Sequence, residues 1–259
     1  MERALIRLFK EPKLDSPAFV EGLPGIGHVG KLAAEHLVAE LKAEKVGEIY
    51  SPSFPPQVLI KTDGTVELMK NELFFWKGKK PQNDLLLLVG NSQGLTPEGQ
   101  YDLADKILDV AEKFGVKRLY TLGGFATGKL VEEPKVFGAV TDPELAKEIE
   151  KYGVVIKGEE GGGIVGASGL LLGLGKIRGI QGVCLLGETS GYLVDAKSAQ
   201  AVLEVLTKML NVKINMTELE NRAKETEKFI SRLQEMERRA LEQLPRRAPV
   251  SEEDLRYIG

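Results

Sequence analysis

Residues Gly25-Ile26-Gly27-His28-Val29-Gly30 have the G-x-G-x-x-G spacing of a dinucleotide-binding turn. In such a turn the glycines let a pyrophosphate approach the N-terminus of a helix. Glu48 follows at about the distance at which an acidic residue binds the ribose. However, Pro24 removes a backbone donor just before the first glycine, and bare glycine patterns often occur in ordinary turns. The favoured interpretation is a tight strand-to-helix turn, and a nucleotide- or nucleoside-binding enzyme is the alternative.

A second glycine segment imitates a phosphate-binding loop. Residues Gly123 to Lys129 match the first part of that motif. Leu130 stands where a serine or threonine would hold magnesium, and Glu132 to Pro134 make a poor start for a helix. A phosphate loop needs both the hydroxyl and the helix, so we do not expect this segment to bind phosphate.

Side chains that could carry out catalysis are few. The two histidines, His28 and His36, are eight positions apart, which is about 12 Å along a helix and too far to share a metal. Cys184 lies between aliphatic residues and is predicted to be a small core residue. The neighbours of Ser168 do not form the G-x-S-x-G turn of a hydrolase. The sequence therefore predicts no catalytic residue, no metal site and no cofactor.

Two more glycine-rich segments need an explanation. The tract that begins at Gly161, Gly162 and Gly163 predicts either tight packing or an oligomer contact. The loop from Gly187 to Tyr192 follows a buried strand, which is where α/β folds place ligands. It is the best candidate for a vestigial small-molecule site, although most such loops only connect elements.

The elements around these segments alternate between strands and helices. Leu85 to Val89 is a run of aliphatic residues typical of a central strand that is covered on both faces. Thr96 and Gly115 are the predicted cap and stop of a helix. Asp63-Gly64 predicts a hairpin between two short strands. This alternation predicts an α/β fold with a largely parallel sheet flanked by helices.

The chain is predicted to have three parts. Near residue 211 glycine disappears and charged residues take over. We expect an α/β core domain at 1–211, a projecting charged helix at 212–245 and a flexible C-terminal tail at 246–259. One face of the charged helix is apolar, so it must pack on the body or on a sister helix. Pro52 to Pro56 and Phe74 to Trp76 offer apolar surface that suits a subunit interface.

Composition excludes several classes of partner. The 259 residues carry a net charge of -3, so no basic excess indicates nucleic acid. We find no stretch long and apolar enough to span a membrane. A single cysteine excludes an internal disulfide and indicates a reducing cytoplasm.

The last five residues, Leu255, Arg256, Tyr257, Ile258 and Gly259, place aliphatic and aromatic groups beyond two prolines. Chain ends are normally loose and polar. This segment therefore predicts a peptide that binds a pocket on another protein.

Several of these segments together resemble the proteasome-assembly-chaperone family, particularly its archaeal members. The likeness covers about residues 1 to 210 and is carried by four segments: Gly22-Leu23-Pro24-Gly25-Ile26-Gly27-His28-Val29-Gly30, Gly123 to Gly128, Gly161 to Gly166, and Gly187-Glu188-Thr189. The resemblance implies a fold with the architecture of purine nucleoside phosphorylases but without their catalytic groups. It also implies a structural role for the glycines at 22, 25, 27, 30 and 161–163.

The resemblance further implies an ATP-independent, cytoplasmic proteasome activator or assembly chaperone. Such a protein would form a homo-oligomer, with a tetramer or pentamer favoured. It would bind the α-subunits of the 20S core particle through C-terminal tails that end in a hydrophobic residue, a tyrosine and one more residue. Tyr257 is third from the end, so this tail is a variant of the motif. Either its ring takes the hydrophobic position or the chain carries one extra residue, which shifts the end by about 3.5 Å.

Overall fold

The computed structural model describes residues 3–79, 84–156, 162–226 and 228. The predicted tail at 246–259, most of the predicted projecting helix and Gly161 lie outside the described residues.

Within these ranges, nine strands form one mixed sheet in the order β1-β3-β6-β7-β2-β8-β11-β9-β10, and β4 and β5 form a separate hairpin. The predicted hairpin around Asp63-Gly64 is confirmed by that pair. The strand bounds are β1 (Leu5–Leu8), β2 (Ala18–Gly22), β3 (Glu44–Tyr50), β4 (Val58–Ile60), β5 (Val66–Leu68), β6 (Asn71–Trp76), β7 (Leu85–Gly90), β8 (Arg118–Ala126), β9 (Val136–Val140), β10 (Val155–Ile156) and β11 (Gln181–Thr189).

The centre of the sheet is parallel, and both sides include antiparallel strands. Strands β7, β2, β8 and β11 run parallel to one another. On one side β6, β3 and β1 continue the sheet in antiparallel pairs. On the other side β9 is antiparallel to β11 and parallel to β10. The predicted parallel sheet therefore describes the centre, where β7 is buried along its whole length.

Helices cover both faces of the sheet. One hydrophobic core includes residues of α2 and α4, and the other includes residues of α1, α3 and α5. A short 3₁₀ turn (Ile26–His28) precedes α1. The helix bounds are α1 (Val29–Glu40), α2 (Pro97–Lys113), α3 (Pro143–Glu150), α4 (Ala167–Ile177) and α5 (Ala196–Leu210). A further helix, α6, is described at 217–226.

Local capping determines where these helices begin and end. The Thr96 side chain accepts a hydrogen bond from the Gly99 amide, and Gly115 follows α2 with a φ of 75°, so the predicted cap and stop are confirmed. Asp195 caps α5 in the same way by accepting a bond from the Ser198 amide at 2.9 Å. The described helices include none long and apolar enough to cross a membrane.

The segment after α5 returns to the body before α6 begins. The Asn215 carbonyl oxygen lies 2.7 Å from His36 Nε2, and its amide donates to Glu40 Oε2 at 3.1 Å. Leu219 and Ala223 of α6 are buried, and Leu219 belongs to the core that includes α1 and α5. The apolar face of the charged helix thus packs on the body over its first turns. The domain division at residue 211 and the likeness to purine nucleoside phosphorylases stay predictions.

Candidate functional site

The carboxyl ends of the central strands bring the glycine-rich segments together at one edge of the sheet. The Asp195 amide, after β11, donates to the Gly27 carbonyl oxygen, after β2, at 2.9 Å. The Thr127 amide, after β8, donates to the Thr189 carbonyl oxygen at 2.9 Å. Ligands of parallel α/β sheets bind at this kind of edge, so the candidate ligand-binding site lies here.

Two of the glycines at this edge pack against the protein's own backbone. A Cβ added at Gly30 would lie 2.0 Å from the carbonyl oxygen of Leu122 in β8. A Cβ added at Gly22 would lie 2.3 Å from the carbonyl oxygen of Gly30. The first turn of α1 therefore presses directly on β2 and β8. Here the absence of a side chain at these glycines lets the helix pack closely on the sheet. In a nucleotide-binding fold the corresponding glycines let a pyrophosphate approach the helix.

The other parts of a nucleotide site are not assembled at this edge. Glu48 lies on β3, three strands away from β2 in the sheet. Burial opposes its ionisation, but hydrogen bonds from Lys45, Lys70 and Tyr50 outweigh it and lower the pKa of Glu48 to about 2. The acidic residue that the sequence placed near a ribose is therefore bound in an ion-pair network elsewhere.

The apparent phosphate loop is the end of a strand. Gly123 and Gly124 lie inside β8, which continues to Ala126. The next element is the strand β9, so the segment from Gly123 to Lys129 does not lead into a helix as a phosphate loop does. The segment thus lacks the following helix and the serine or threonine of such loops. The backbone before α1 also occupies this place, since a Cβ added at Gly124 would lie 2.4 Å from the Ile26 carbonyl oxygen.

A buried carboxyl group lies directly behind the glycine turn. Glu21 has no exposed surface. Its Oε1 accepts a bond from the Leu23 amide at 2.9 Å, and its Oε2 lies 3.0 Å from Ser168 Oγ of α4. Burial raises the pKa of Glu21 to about 7 against the lowering effect of these bonds. A protonated Glu21 can donate to Ser168 Oγ, which in turn lies 3.5 Å from the Leu122 carbonyl oxygen.

Glu21 was missed as a functional candidate in the sequence, where it is simply the end of a predicted strand. The available signal is an acidic residue in the otherwise apolar run Ala18-Phe19-Val20-Glu21-Gly22. In the structure it joins the glycine turn to α4 across 147 positions of sequence. Glu21 therefore links the turn after β2 to α4 through hydrogen bonds, and its carboxyl group is not accessible from the surface.

The remaining candidates for catalysis are structural. Burial raises the pKa of Cys184 to about 12, so its thiol stays protonated, as suits the predicted core residue. His36 contacts the segment before α6. Within the described ranges, no three His, Cys, Asp or Glu side chains are grouped so that they could hold a metal ion.

The loop after β11 turns its hydroxyl groups inward. Thr189 and Ser190 are buried, whereas Tyr192 is exposed. A Cβ added at Gly187 would lie 2.3 Å from Ser198 Oγ of α5, so this strand end closes on the helix. At this edge the polar side chains His28 and Asn91 are exposed, together with several large apolar side chains. Those with large exposed areas are Ile26, Leu95, Val165, Tyr192 and Val194.

The other residues that the sequence singled out lie away from the contacts between the glycine turn and the central strands, or outside the described part of the chain. Gly162 and Gly163 line a shallow cavity of about 420 Å³ with Phe125, Phe137 and Leu186. Phe74, Phe75 and Trp76, which the sequence offered as interface surface, pack partly against the two cores. The predicted partner-binding residues Leu255, Arg256, Tyr257, Ile258 and Gly259 lie outside the described residues.

Comparison with known proteins agrees with this arrangement. The model of the PAC2 family matches residues 19–234, which include all of the parallel centre of the sheet except Ala18. The chain belongs to the PAC2 family. An uncharacterised protein of Methanocaldococcus jannaschii is 50% identical over 246 residues, which cover 95% of this chain and 93% of that protein.

Solved structures extend the PAC2 assignment to the fold. The crystal structure of Pyrococcus furiosus PbaB, described as an archaeal proteasome activator, has a TM-score of 0.87 and 45% identity. It covers 90% of this chain and 100% of that chain. Pyrococcus furiosus PbaA, described as an archaeal homolog of proteasome-assembly chaperone, has a TM-score of 0.74 and 30% identity over 93% of this chain and 96% of that chain.

The first prediction tests the structural role of the glycines. Gly30→Ala is expected to destabilise the fold by about 3 kcal/mol, because its Cβ would overlap the Leu122 carbonyl oxygen. Gly25→Ala is the matched control, since a Cβ there meets nothing within 4 Å. Thermal or urea unfolding measures both variants. Equal stability of the two would contradict a structural role for Gly30.

The second prediction concerns pH. Because the folded pKa of Glu21 is about 7 and its ordinary value is 4.5, the native state holds a proton that the unfolded state releases in this window. Stability should therefore fall as pH rises from about 4.5 to 7, by about 3 kcal/mol in total. Glu21→Gln should remove this loss, so its advantage in melting temperature over the wild type should grow with pH.

Glu48→Gln provides a control of opposite sign. The folded pKa of Glu48 is about 2, so its carboxylate contributes stability above pH 4.5. This variant should melt below the wild type at pH 8. A constant difference between Glu21→Gln and the wild type from pH 5 to pH 8 would show that Glu21 does not titrate in this range.

Proposed function

We propose that this protein is a non-enzymatic, ATP-independent proteasome activator or assembly chaperone. In this proposal it works in the cytoplasm as a homo-oligomer, with four or five copies favoured. Its C-terminal residues Leu255 to Gly259 bind the α-ring of the 20S core particle. The observation that carries the proposal is the similarity to PbaB, an archaeal proteasome activator, over the full length of that chain.

The architecture of the body supports a binding function. At the carboxyl edge of the sheet, Gly22 and Gly30 serve internal packing, and Glu21 is sealed behind them. Large aliphatic and aromatic side chains are exposed at this edge, and such side chains suit a protein contact. The same observations give no support to the nucleotide-binding alternative.

The composition of the tail supports the same proposal. Tyr257 lies between Arg256 and Ile258, so an aromatic ring and an aliphatic group are adjacent in a short segment. Aromatic side chains are the most frequent anchors of protein interfaces because they fill pockets at a small cost in conformational entropy. A short peptide of this kind binds weakly when it acts alone.

Oligomerisation makes weak tails effective. When several tails on one particle face several pockets of one ring, each later contact becomes intramolecular. The gain in apparent affinity is about 100-fold or more if the geometry allows simultaneous binding. The proposed assembly therefore requires both the tail residues and a stable oligomer.

The third prediction is that truncation after Arg256 abolishes binding to the 20S core particle and stimulation of its peptidase activity. Tyr257→Ala should lower the apparent affinity by about 100-fold, because every tail of the oligomer loses its aromatic anchor. Pull-down and hydrolysis of a fluorogenic peptide measure both effects. Wild-type binding and stimulation should be the same with and without ATP.

Tyr101→Ala is the matched control, because Tyr101 is an exposed tyrosine on α2. It should bind and stimulate like the wild type. Circular dichroism and light scattering should show that the truncated protein keeps its fold and its mass. Unchanged binding after the truncation would contradict the proposed function.

A further inference from the structure

One face of the β4–β5 hairpin is aliphatic and exposed. The register pairs Val58 with Leu68 and Ile60 with Val66. Residues paired across antiparallel strands lie on the same face of a sheet, so these four side chains form one surface. Their exposed fractions are 48% for Val58, 57% for Leu68, 78% for Ile60 and 62% for Val66. We call these four residues the hairpin face.

The opposite side of the hairpin is the one that packs on the body. Leu59, which is paired with Glu67, packs against the core that contains α2 and α4. Alternation along β4 therefore directs Leu59 inward and the hairpin face outward. A two-stranded sheet gains little stability by itself, and an aliphatic patch of this kind commonly marks an interaction site.

An apolar groove continues the hairpin face. It has a volume of about 490 Å³, and its lining includes Pro52, Phe54, Pro56, Val58, Leu68 and Met69. Val58 and Leu68 belong to both features, so the groove and the hairpin face form one continuous surface.

The charges around this surface are balanced. Lys61 and Lys70 each lie 3.1 Å from a Glu67 carboxylate oxygen. Asp63, at the tip, accepts bonds from the Thr65 amide and hydroxyl. A second copy would present the same charges, and a rim of one sign would repel itself. Two cations and two anions avoid that repulsion, whereas they offer no excess charge to attract a basic or acidic partner.

We propose that the hairpin face is a self-association surface. The hairpin face and its groove pack against the same surface of a second copy of this chain, so that residue 60 of each copy lies within the aliphatic patch of the other. This inference rests on the proposed function only in that such contacts would hold several tails together. A contact between identical surfaces joins copies in pairs, so it fits the four-copy form of the proposed function and not a ring of five. The contact itself requires no proteasome.

Charge substitution at the centre of the hairpin face tests this inference. Ile60→Glu and Ile60→Lys are each expected to reduce the particle mass to half that of the wild type or less, because like charges would meet across the interface. An equimolar mixture of the two variants should recover the wild-type mass, because opposite charges would then meet. Size exclusion with light scattering measures all three samples without any core particle.

Ile177→Glu is the matched control, because Ile177 is 82% exposed on α4 and belongs neither to the hairpin face nor to the lining of its groove. It should keep the wild-type mass. Hydrogen exchange provides a second measurement on the unmodified protein. The amides of residues 58–68 should exchange more slowly at high protein concentration than after dilution.

Three outcomes would overturn the inference: a monomeric wild type, an unchanged mass in both Ile60 variants, or hairpin exchange that is independent of concentration. If the variants keep their mass but lose the core particle, another protein occupies the hairpin face and the inference is also wrong. Failure of the proposed function is distinguishable, since the wild type would then oligomerise through the hairpin but not bind the core particle.

Discussion

The close contact between the first turn of α1 and the central strands is the constraint on which the rest of the structure depends. Gly30 lets the helix backbone reach the Leu122 carbonyl oxygen, and Gly22 makes room for Gly30. This contact closes the carboxyl edge of the sheet and seals Glu21 behind it. It also fixes α1, whose His36 and Glu40 hold the segment that leads into α6.

The backbone contacts at Gly22 and Gly30 fill the space that a pyrophosphate takes in a dinucleotide-binding fold. Three of the polar groups that could do chemistry have internal positions: Glu48 lies in ion pairs, Thr189 in a turn and Cys184 in the core. Large apolar side chains are exposed both at the loops around Tyr192 and on the hairpin face. Under the proposed function, this PAC2 body holds copies of itself and its C-terminal segments in a defined arrangement.

Much of the local structure could be predicted because its signals are short-range. The cap at Thr96, the stop at Gly115 and the hairpin at Asp63-Gly64 each depend on a few neighbouring residues. Contacts between residues far apart in the chain have no comparable signal in the sequence. Gly30 meets Leu122, and Glu21 meets Ser168, only because β2 and β8 are neighbours in the sheet. The alternation in β4 and β5 is visible in the sequence, but which face is covered depends on the body beneath.

The tail prediction rests on residue types alone, since residues 255–259 lie outside the described part of the chain.

The central claim is that the segment around Tyr257 is captured by a pocket of another protein, and site-specific photo-crosslinking tests it most directly. A photoreactive phenylalanine analogue would replace Tyr257, and the oligomer would be irradiated together with 20S core particles. Mass spectrometry would then locate the crosslinks. The account predicts crosslinks to the core particle at the clefts between neighbouring α-subunits. Crosslinks found only within the protein's own subunits would contradict it.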